Sequence, residues 1–263
     1  MKNSLRLTGL FILGLSILIP VMPAQAEITT VSDAINKAGR QRMLSQRIVK
    51  DFCLVGQGIA KEQALKELKK STDLFNSQLN ELKAFTPTSK IKQRVDRVDV
   101  QWGPFLEMTK STASKETCLA LNEAGEDLLR DSHKIVLALT DFSGSSGGKI
   151  INTSGRQRML SQRIAKYQTL FAWGLADAEI TDALNRATIE FKGAQVVLFQ
   201  SKLNTPEIRE TLIQVNRQMS PLKSIIGQKK DKASLAKVIK NTELILRDMN
   251  KATGLYQKVT ESM

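Results

Sequence analysis

The sequence predicts an all-α protein made of two tandem up-down four-helix bundle units. Helix-forming residues dominate, and only 5% of the residues are aromatic. Apolar residues recur at steps of three and four, as at Leu44, Ile48 and Phe52, and no segment shows a sustained alternation of period two. One segment is present twice: residues 39–50 read GRQRMLSQRIVK and residues 155–166, which lie 116 positions later, read GRQRMLSQRIAK.

Residues 1–26 are predicted to form a cleaved export signal. Lys2 and Arg6 supply the positive region, an apolar run follows from Leu7 to Val21, and residues 24–26 (Ala-Gln-Ala) form a cleavage site of small residues. An uncleaved membrane anchor is the alternative, although the apolar run is short for a membrane span. We therefore expect the remaining chain to be secreted into a bacterial periplasm.

Turn-forming residues divide the rest of the chain into eight predicted helices. The first four-helix unit covers 27–142, a Gly/Ser linker covers 143–149, and the second unit covers 150–263. The predicted helices span 31–56, 61–84, 88–112, 116–141, 146–174, 177–203, 206–227 and 231–261. Weaker matches outside the repeated segment, such as Phe75 with Phe191, extend the duplication to the whole unit.

Charge and cysteine content restrict the function classes. The net charge of +13 falls by two, to +11, once Lys2 and Arg6 are removed, which favours an anionic ligand, a membrane surface or an acidic protein. Export argues against nucleic acid. The lone histidine, His133, is expected on a helix surface. The sequence lacks a metal-ligand cluster, a cofactor loop and a nucleophile–base pair, so no metal, no cofactor and no enzymatic activity are expected.

The two cysteines are predicted to form a disulfide. Cys53 ends the first predicted helix and Cys118 begins the fourth, and an up-down topology brings these two places to the same end of the bundle. A bridge that closes a loop of 65 residues would stabilise the first unit by about 2–4 kcal/mol. Two free buried thiols are the alternative.

The duplicated helix carries two stripes on a helical wheel. Leu44, Ile48 and Phe52 face the core of their own bundle, whereas Arg42 and Arg158 are expected to point to solvent. The second stripe has heptad-like spacing and consists of Asn36, Arg40, Met43, Arg47, Lys50 and Leu54, with Asn152, Arg156, Met159, Arg163, Lys166 and Leu170 as its copies. Packing of the two copies along this stripe would place Arg47 and Arg163 on opposite sides of one pocket. Two guanidinium groups there would suit a planar oxyanion; a solvated charged face is the alternative.

Residues 35–47 and 151–163 resemble the first helix of the PilJ/NarX-like ligand-binding domain. That family supplies the periplasmic input module of type IV pili methyl-accepting chemotaxis transducers and of nitrate/nitrite sensor kinases. The resemblance implies a four-helix bundle in which paired helix-1 arginines bind nitrate between two subunits. The family arginine matches Arg47 and Arg163, and a second one matches Arg42 and Arg158. Sensor members also have transmembrane helices and an output domain, which we do not expect in this chain.

The sequence therefore predicts a periplasmic sensor-type module that binds a small oxyanion, nitrate or nitrite first, and acts with a membrane-bound sensor or transducer. The expected ligand-binding residues are Arg47, Arg163, Arg40, Arg156, Asn36 and Asn152, with Arg42, Arg158 and Lys37 as secondary candidates. The two copies would pair within the chain or between chains through the first helix. The alternative is an interaction or structural protein whose arginine stripe contacts a related sensor or an acidic partner.

Overall fold

The computed structural model describes residues 27–228 and 230–263, so the predicted export signal lies outside the described residues. The fold class is as predicted, since the regular elements of the described residues are helices. They are α1 (Val31–Gln57), α2 (Lys61–Ala84), α3 (Ser89–Met108), α4 (Lys115–Ser143), α5 (Ser146–Ala172), α6 (Ala178–Phe199), α7 (Pro206–Met219) and α8 (Lys232–Glu261). A short 3-10 turn, Ser220–Leu222, follows α7. In the described part of the chain, no helix has the length and apolar character that a membrane crossing requires.

Side-chain caps set most of the helix starts. Thr30, Thr88 and Ser114 each accept a hydrogen bond from the backbone N–H three residues later, which satisfies a donor that the first turn cannot. Asp177 and Asp231 do the same for α6 and α8. The helix that was expected over 206–227 is shorter than predicted, because a proline follows its last turn and cannot donate to the helical ladder.

The two copies of the repeated segment lie at the centre of the molecule. α1 is surrounded by α2, α4, α5 and α8, and α5 packs against α6, α8 and α1. Both helices run in the same direction: Ile35 lies beside Gly148 near their starts, and Gln57 donates to the carbonyl of Thr169 near their ends. One apolar core crosses from the first unit to the second. The two units are thus packed on each other within one chain, with α1 and α5 as the shared centre.

The connection between the units is shorter than the predicted linker of residues 143–149. α4 continues to Ser143, Gly144 adopts a left-handed conformation with φ of 60°, and α5 begins at Ser146. The other two glycines belong to the first turn of α5 and are buried. A Cβ on Gly147 would collide with the side chain of Thr260. These glycines therefore permit close packing and do not form a flexible segment.

Cys53 on α1 and Cys118 on α4 are joined by a disulfide, with their Cα atoms 5.5 Å apart. Both side chains are fully buried. The corresponding places in the second unit hold Thr169 and Leu235, so the bridge occurs in one unit.

Candidate functional site

Two arginines of the repeated segment meet where α1 packs on α5. Arg42 is 1% exposed and Arg158 is 0% exposed. A Cβ placed on Gly39 would lie 3.3 Å from Nη2 of Arg158 and 3.5 Å from Nη2 of Arg42, and one on Gly155 would lie 3.1 Å and 3.7 Å from the same two atoms. The two glycines therefore leave the space in which the guanidinium groups approach each other.

Arg42 makes its hydrogen bonds to neutral acceptors. Its Nη1 donates to Nδ1 of His133 on α4 over 3.0 Å, and its Nη2 donates to the main-chain carbonyl of Asn152 on α5 over 3.4 Å. His133 is therefore half-buried in contact with this site, and the expectation of an ordinary surface histidine was wrong. Burial and the charges of Arg42 and Arg156 lower the pKa of His133 to about 4, so that the ring is neutral near pH 7.

Arg158 repeats this arrangement from the other unit. Its Nη2 donates to the main-chain carbonyl of Asn36 over 3.1 Å, and its Nη1 donates to Oδ1 of Asn250 on α8 over 3.2 Å. Asn250 stands in the second unit where His133 stands in the first. The two arginines are thus related by the same approximate two-fold symmetry that relates the units.

Neither guanidinium has a carboxylate of the described residues within ion-pair distance. Burial lowers the pKa of Arg42 to about 9 and that of Arg158 well below its usual value, and nearby arginine charges lower both further. The Nε atoms of both side chains are buried without a hydrogen-bond partner. Two cations in this setting repel each other and have lost their hydration, so the pair favours an added negative charge.

The predicted orientations of the arginines were wrong. Arg42 and Arg158, which the wheel directed to solvent, are buried at the α1–α5 contact. Arg47 and Arg163 do not share a pocket: Arg47 contacts carboxylates on α2 and α8, whereas Arg163 contacts Glu126 on α4. The physical reason is that helices surround α1 on several sides, so its polar residues face partners in several directions and not one seam.

The outer arginines form two ion clusters that link the units. In one, Glu243 of α8 binds Arg47 over 2.7 Å and Lys50 over 2.5 Å. In the other, Glu126 of α4 binds Arg163 and Lys166 over 2.5 Å and 2.6 Å. In both, a glutamate of one unit pairs with the central helix of the other.

The remaining predicted residues lie around these features. Asn36 donates from Nδ2 to Gln257 over 2.7 Å, and Asn36 and Asn152 reach the arginine pair through their main-chain carbonyls. Arg156 pairs with Glu190 over 2.7 Å. Lys37, one of the secondary candidates, pairs with Asp33 and Glu81. Burial lowers the pKa of Arg40, another of the predicted ligand-binding residues.

The glutamines of the repeated segment anchor the surrounding helices, which the sequence did not reveal. Gln41 donates to the carbonyl of Phe75 over 3.1 Å, and its copy Gln157 donates to that of Phe191 over 2.9 Å. Phe75 and Phe191 are separated by the same 116 residues as the two copies of the repeated segment. This shared offset is the sequence signal that could have indicated the contact. Each pair fixes the second helix of a unit against its central helix.

A groove of about 620 Å³ opens between α4 and α6, with α5 as its floor. Arg42 and His133 line one part of it, together with Arg156. The groove therefore reaches Arg42, one member of the arginine pair, from one side of the molecule.

The comparisons with known proteins agree with this arrangement. The family model described as the N-terminal domain of type IV pili methyl-accepting chemotaxis transducers, PilJ, matches residues 26–127 and 142–240. No curated protein and no solved structure matches the chain. The family is one of sensory modules, and each matched segment covers the first three helices of one unit and ends within its fourth. The chain belongs to the PilJ family and contains two tandem copies of its domain.

Proposed function

We propose that this protein is a periplasmic sensor module that binds a small oxyanion between Arg42 and Arg158. The observation that carries the proposal is the burial of two adjacent guanidinium groups with neutral acceptors alone around them. An isolated buried cation is costly, and a second one close by adds repulsion. A planar anion between the two would offset both effects.

The geometry favours a planar oxyanion such as nitrate or nitrite. Each guanidinium has a buried Nε–H without a partner, and this donor lies on the same edge as one of the terminal nitrogens. Two parallel N–H donors match two oxygens of one planar anion. The small space beside Gly39 and Gly155 excludes bulky ligands. A module of this kind acts with a membrane-bound transducer, in keeping with the family to which the chain belongs.

Isothermal titration of the purified protein with sodium nitrate and sodium nitrite tests this proposal, with sodium chloride as the reference salt. Arg158→Met keeps the volume of the side chain and removes its charge and donors, so we expect nitrate binding to weaken at least about tenfold, the factor that 1.4 kcal/mol produces. Arg47→Met, the same substitution at an outer ion cluster, is the matched control and is expected to retain binding. Equal affinity in wild type and Arg158→Met would exclude the arginine pair as the site.

The interaction-protein alternative predicts a different result. If the arginines serve only to contact a partner, no heat accompanies titration with either anion, and pull-down from membranes depends on the outer Arg47 and Arg163. Arg47 has carboxylate partners on α2 and α8, and Arg163 shares Glu126 with Lys166, whereas the buried pair Arg42 and Arg158 has no described carboxylate within ion-pair distance. We therefore place the anion-binding function first.

A further inference from the structure

The outer part of the α4–α6 groove differs in charge from the equivalent place in the other half of the molecule. On the α2–α8 side, Arg47 lies near three carboxylates: Glu243 at 2.7 Å, Glu67 at 2.9 Å and Asp51 at 3.7 Å. Lys50 shares two of these, because Asp51 lies 3.2 Å from its Nζ and Glu243 lies 2.5 Å from it. Two cations are thus balanced by three anions.

The groove side keeps the cations and lacks two of the carboxylates. At the repeat offset of 116, Tyr167 takes the place of Asp51 and Ala183 takes the place of Glu67. Glu126, the counterpart of Glu243, is the single described carboxylate in ion-pair contact with both Arg163 and Lys166. Burial raises the pKa of Glu126, but the two positive charges outweigh this effect and lower it to about 2.

The two cations of this cluster differ in exposure, since the side chain of Arg163 is 22% exposed. Lys166 is fully buried, and burial lowers its pKa to about 8 despite the charge of Glu126. The Nε atom of Arg163 is buried without a hydrogen-bond partner, while its Nη2 donates to the hydroxyl of Tyr167 over 3.2 Å. The cluster therefore carries one uncompensated positive charge on the wall of a solvent-connected groove.

The other acidic residues of the groove do not neutralise this charge. They are exposed, so water and salt screen their charges: Glu123, Asp127, Asp177 and Glu179. Asp127 also pairs with Arg130, and Asp177 caps the start of α6. The buried surface beside Arg163 is instead apolar, since Met159, Ile180 and Ala183 are each less than a tenth exposed.

We propose that this groove is a second binding site, which takes a small organic carboxylate. The carboxylate lies against Arg163 in the space that Ala183 leaves where the other unit has a glutamate. The apolar body of the ligand packs on Met159 and Ile180. A groove of about 620 Å³ is within the usual range for small-molecule sites. The site occurs once per chain and does not depend on the anion proposed at the buried arginine pair.

Titration calorimetry with benzoate, hexanoate and glutarate as probes tests this inference on the purified full protein, with benzyl alcohol as the uncharged reference. Ala183→Glu supplies the missing carboxylate from within the chain, and Arg163→Gln removes the cation. We expect at least one of the three carboxylates to bind wild type. Its affinity is expected to fall at least about tenfold in each of the two variants. Benzyl alcohol is expected to show no measurable binding. Ala120→Glu, an exposed position on α4 outside the groove with the same charge change, is expected to bind as wild type does.

Two results would overturn the inference: no binding of any of the three carboxylates to wild type, or unchanged affinity in both Ala183→Glu and Arg163→Gln. Circular dichroism of each variant checks that it is folded, and Arg163→Gln keeps the test decisive if the buried glutamate is not tolerated. The two sites are distinguished by titrating each ligand into the variant that disables the other site. Carboxylate binding is expected to survive Arg158→Met, and nitrate binding is expected to survive Ala183→Glu, so failure of one site leaves the other measurable.

Discussion

The Glu126→Gln substitution removes the carboxylate that Lys166 and Arg163 share and leaves a fully buried ammonium group without a counter-ion in the described structure. The pKa of Glu126 falls from its usual 4.5 to about 2, a change of about 2.5 units, which corresponds to about 3 kcal/mol of stability at pH 7. This agrees with the ~3–5 kcal/mol lost when one partner of a buried ion pair is removed. We expect a loss of about 3 kcal/mol.

Glu243→Gln is the matched control, because it changes the same residue type at the equivalent place. Lys50 keeps Asp51 at 3.2 Å and Arg47 keeps Glu67 at 2.9 Å after this substitution. No cation of that cluster is left without a carboxylate, so we expect a loss of about 1 kcal/mol, the size of an ordinary ion pair. Urea unfolding followed by circular dichroism measures both losses.

The pH dependence supplies an independent check on the same substitution. Because the pKa of Glu126 is lower in the folded state than in the unfolded chain, its contribution is complete above about pH 4.5 and disappears as the pH falls towards 2. The difference between wild type and Glu126→Gln is therefore expected to narrow to about half at pH 3. Asp51, whose pKa burial raises to about 6, titrates in both proteins and cancels. Equal losses for Glu126→Gln and Glu243→Gln, or a difference that is unchanged at pH 3, would refute the reasoning.

Three further predictions concern stability. Reduction of the disulfide by dithiothreitol is expected to lower the free energy of unfolding of wild type by ~2–4 kcal/mol in urea titrations. Dithiothreitol is expected to have no effect on the double Cys→Ala variant. Gly125→Ala is expected to destabilise by ~1–3 kcal/mol, because its Cβ would lie 2.7 Å from Cγ2 of Val49. Gly193→Ala on α6, with open space around it, is expected to stabilise by ~1 kcal/mol. Thermal melts compare the two variants, and the opposite order would contradict the packing argument. The pKa of His133 is lowered to about 4, so the free energy of unfolding is expected to fall by up to ~3 kcal/mol as the pH falls from 6.5 to 4. The variant His133→Asn, which places in the first unit the residue type of Asn250 in the second, is expected to lack this decline.

The helical architecture could be predicted because its signals are local. The repeated segment revealed the duplication, and the turn-forming residues between helices gave the helix starts to within about one residue of the observed positions. The predicted span 231–261 compares with Lys232–Glu261 in the structure. The least accurate boundary is the end of α7, which lies at Met219 and not at the predicted residue 227, because the proline that follows cannot extend the helical hydrogen bonds.

The arginine contacts could not be predicted from a wheel, because a wheel assumes one buried face. Of the 27 residues of α1, 19 are buried, and they include charged groups on several sides. Arg42 is buried because α5 packs against its side of α1. The local sequence pattern of α1 does not predict where α5 packs. One signal was present: Gly39 precedes Arg42 by three residues in the first copy, as Gly155 precedes Arg158 in the second. A small residue one turn before a large one indicates where a neighbouring helix can approach closely.

Covalent fusion explains how the two halves can differ where they do. In a dimer of identical subunits, every site is present in two equal copies. A substitution that creates a ligand-binding groove therefore creates it in both subunits. Here the repeated segment keeps the central contacts equal, while the surrounding helices carry the differences: Tyr167 for Asp51 and Ala183 for Glu67. Each difference removes a carboxylate from one cluster alone. The physical consequence is a symmetric centre flanked by two unequal sides, of which the side with Arg163 has the positive charge and the open groove that an anionic ligand requires.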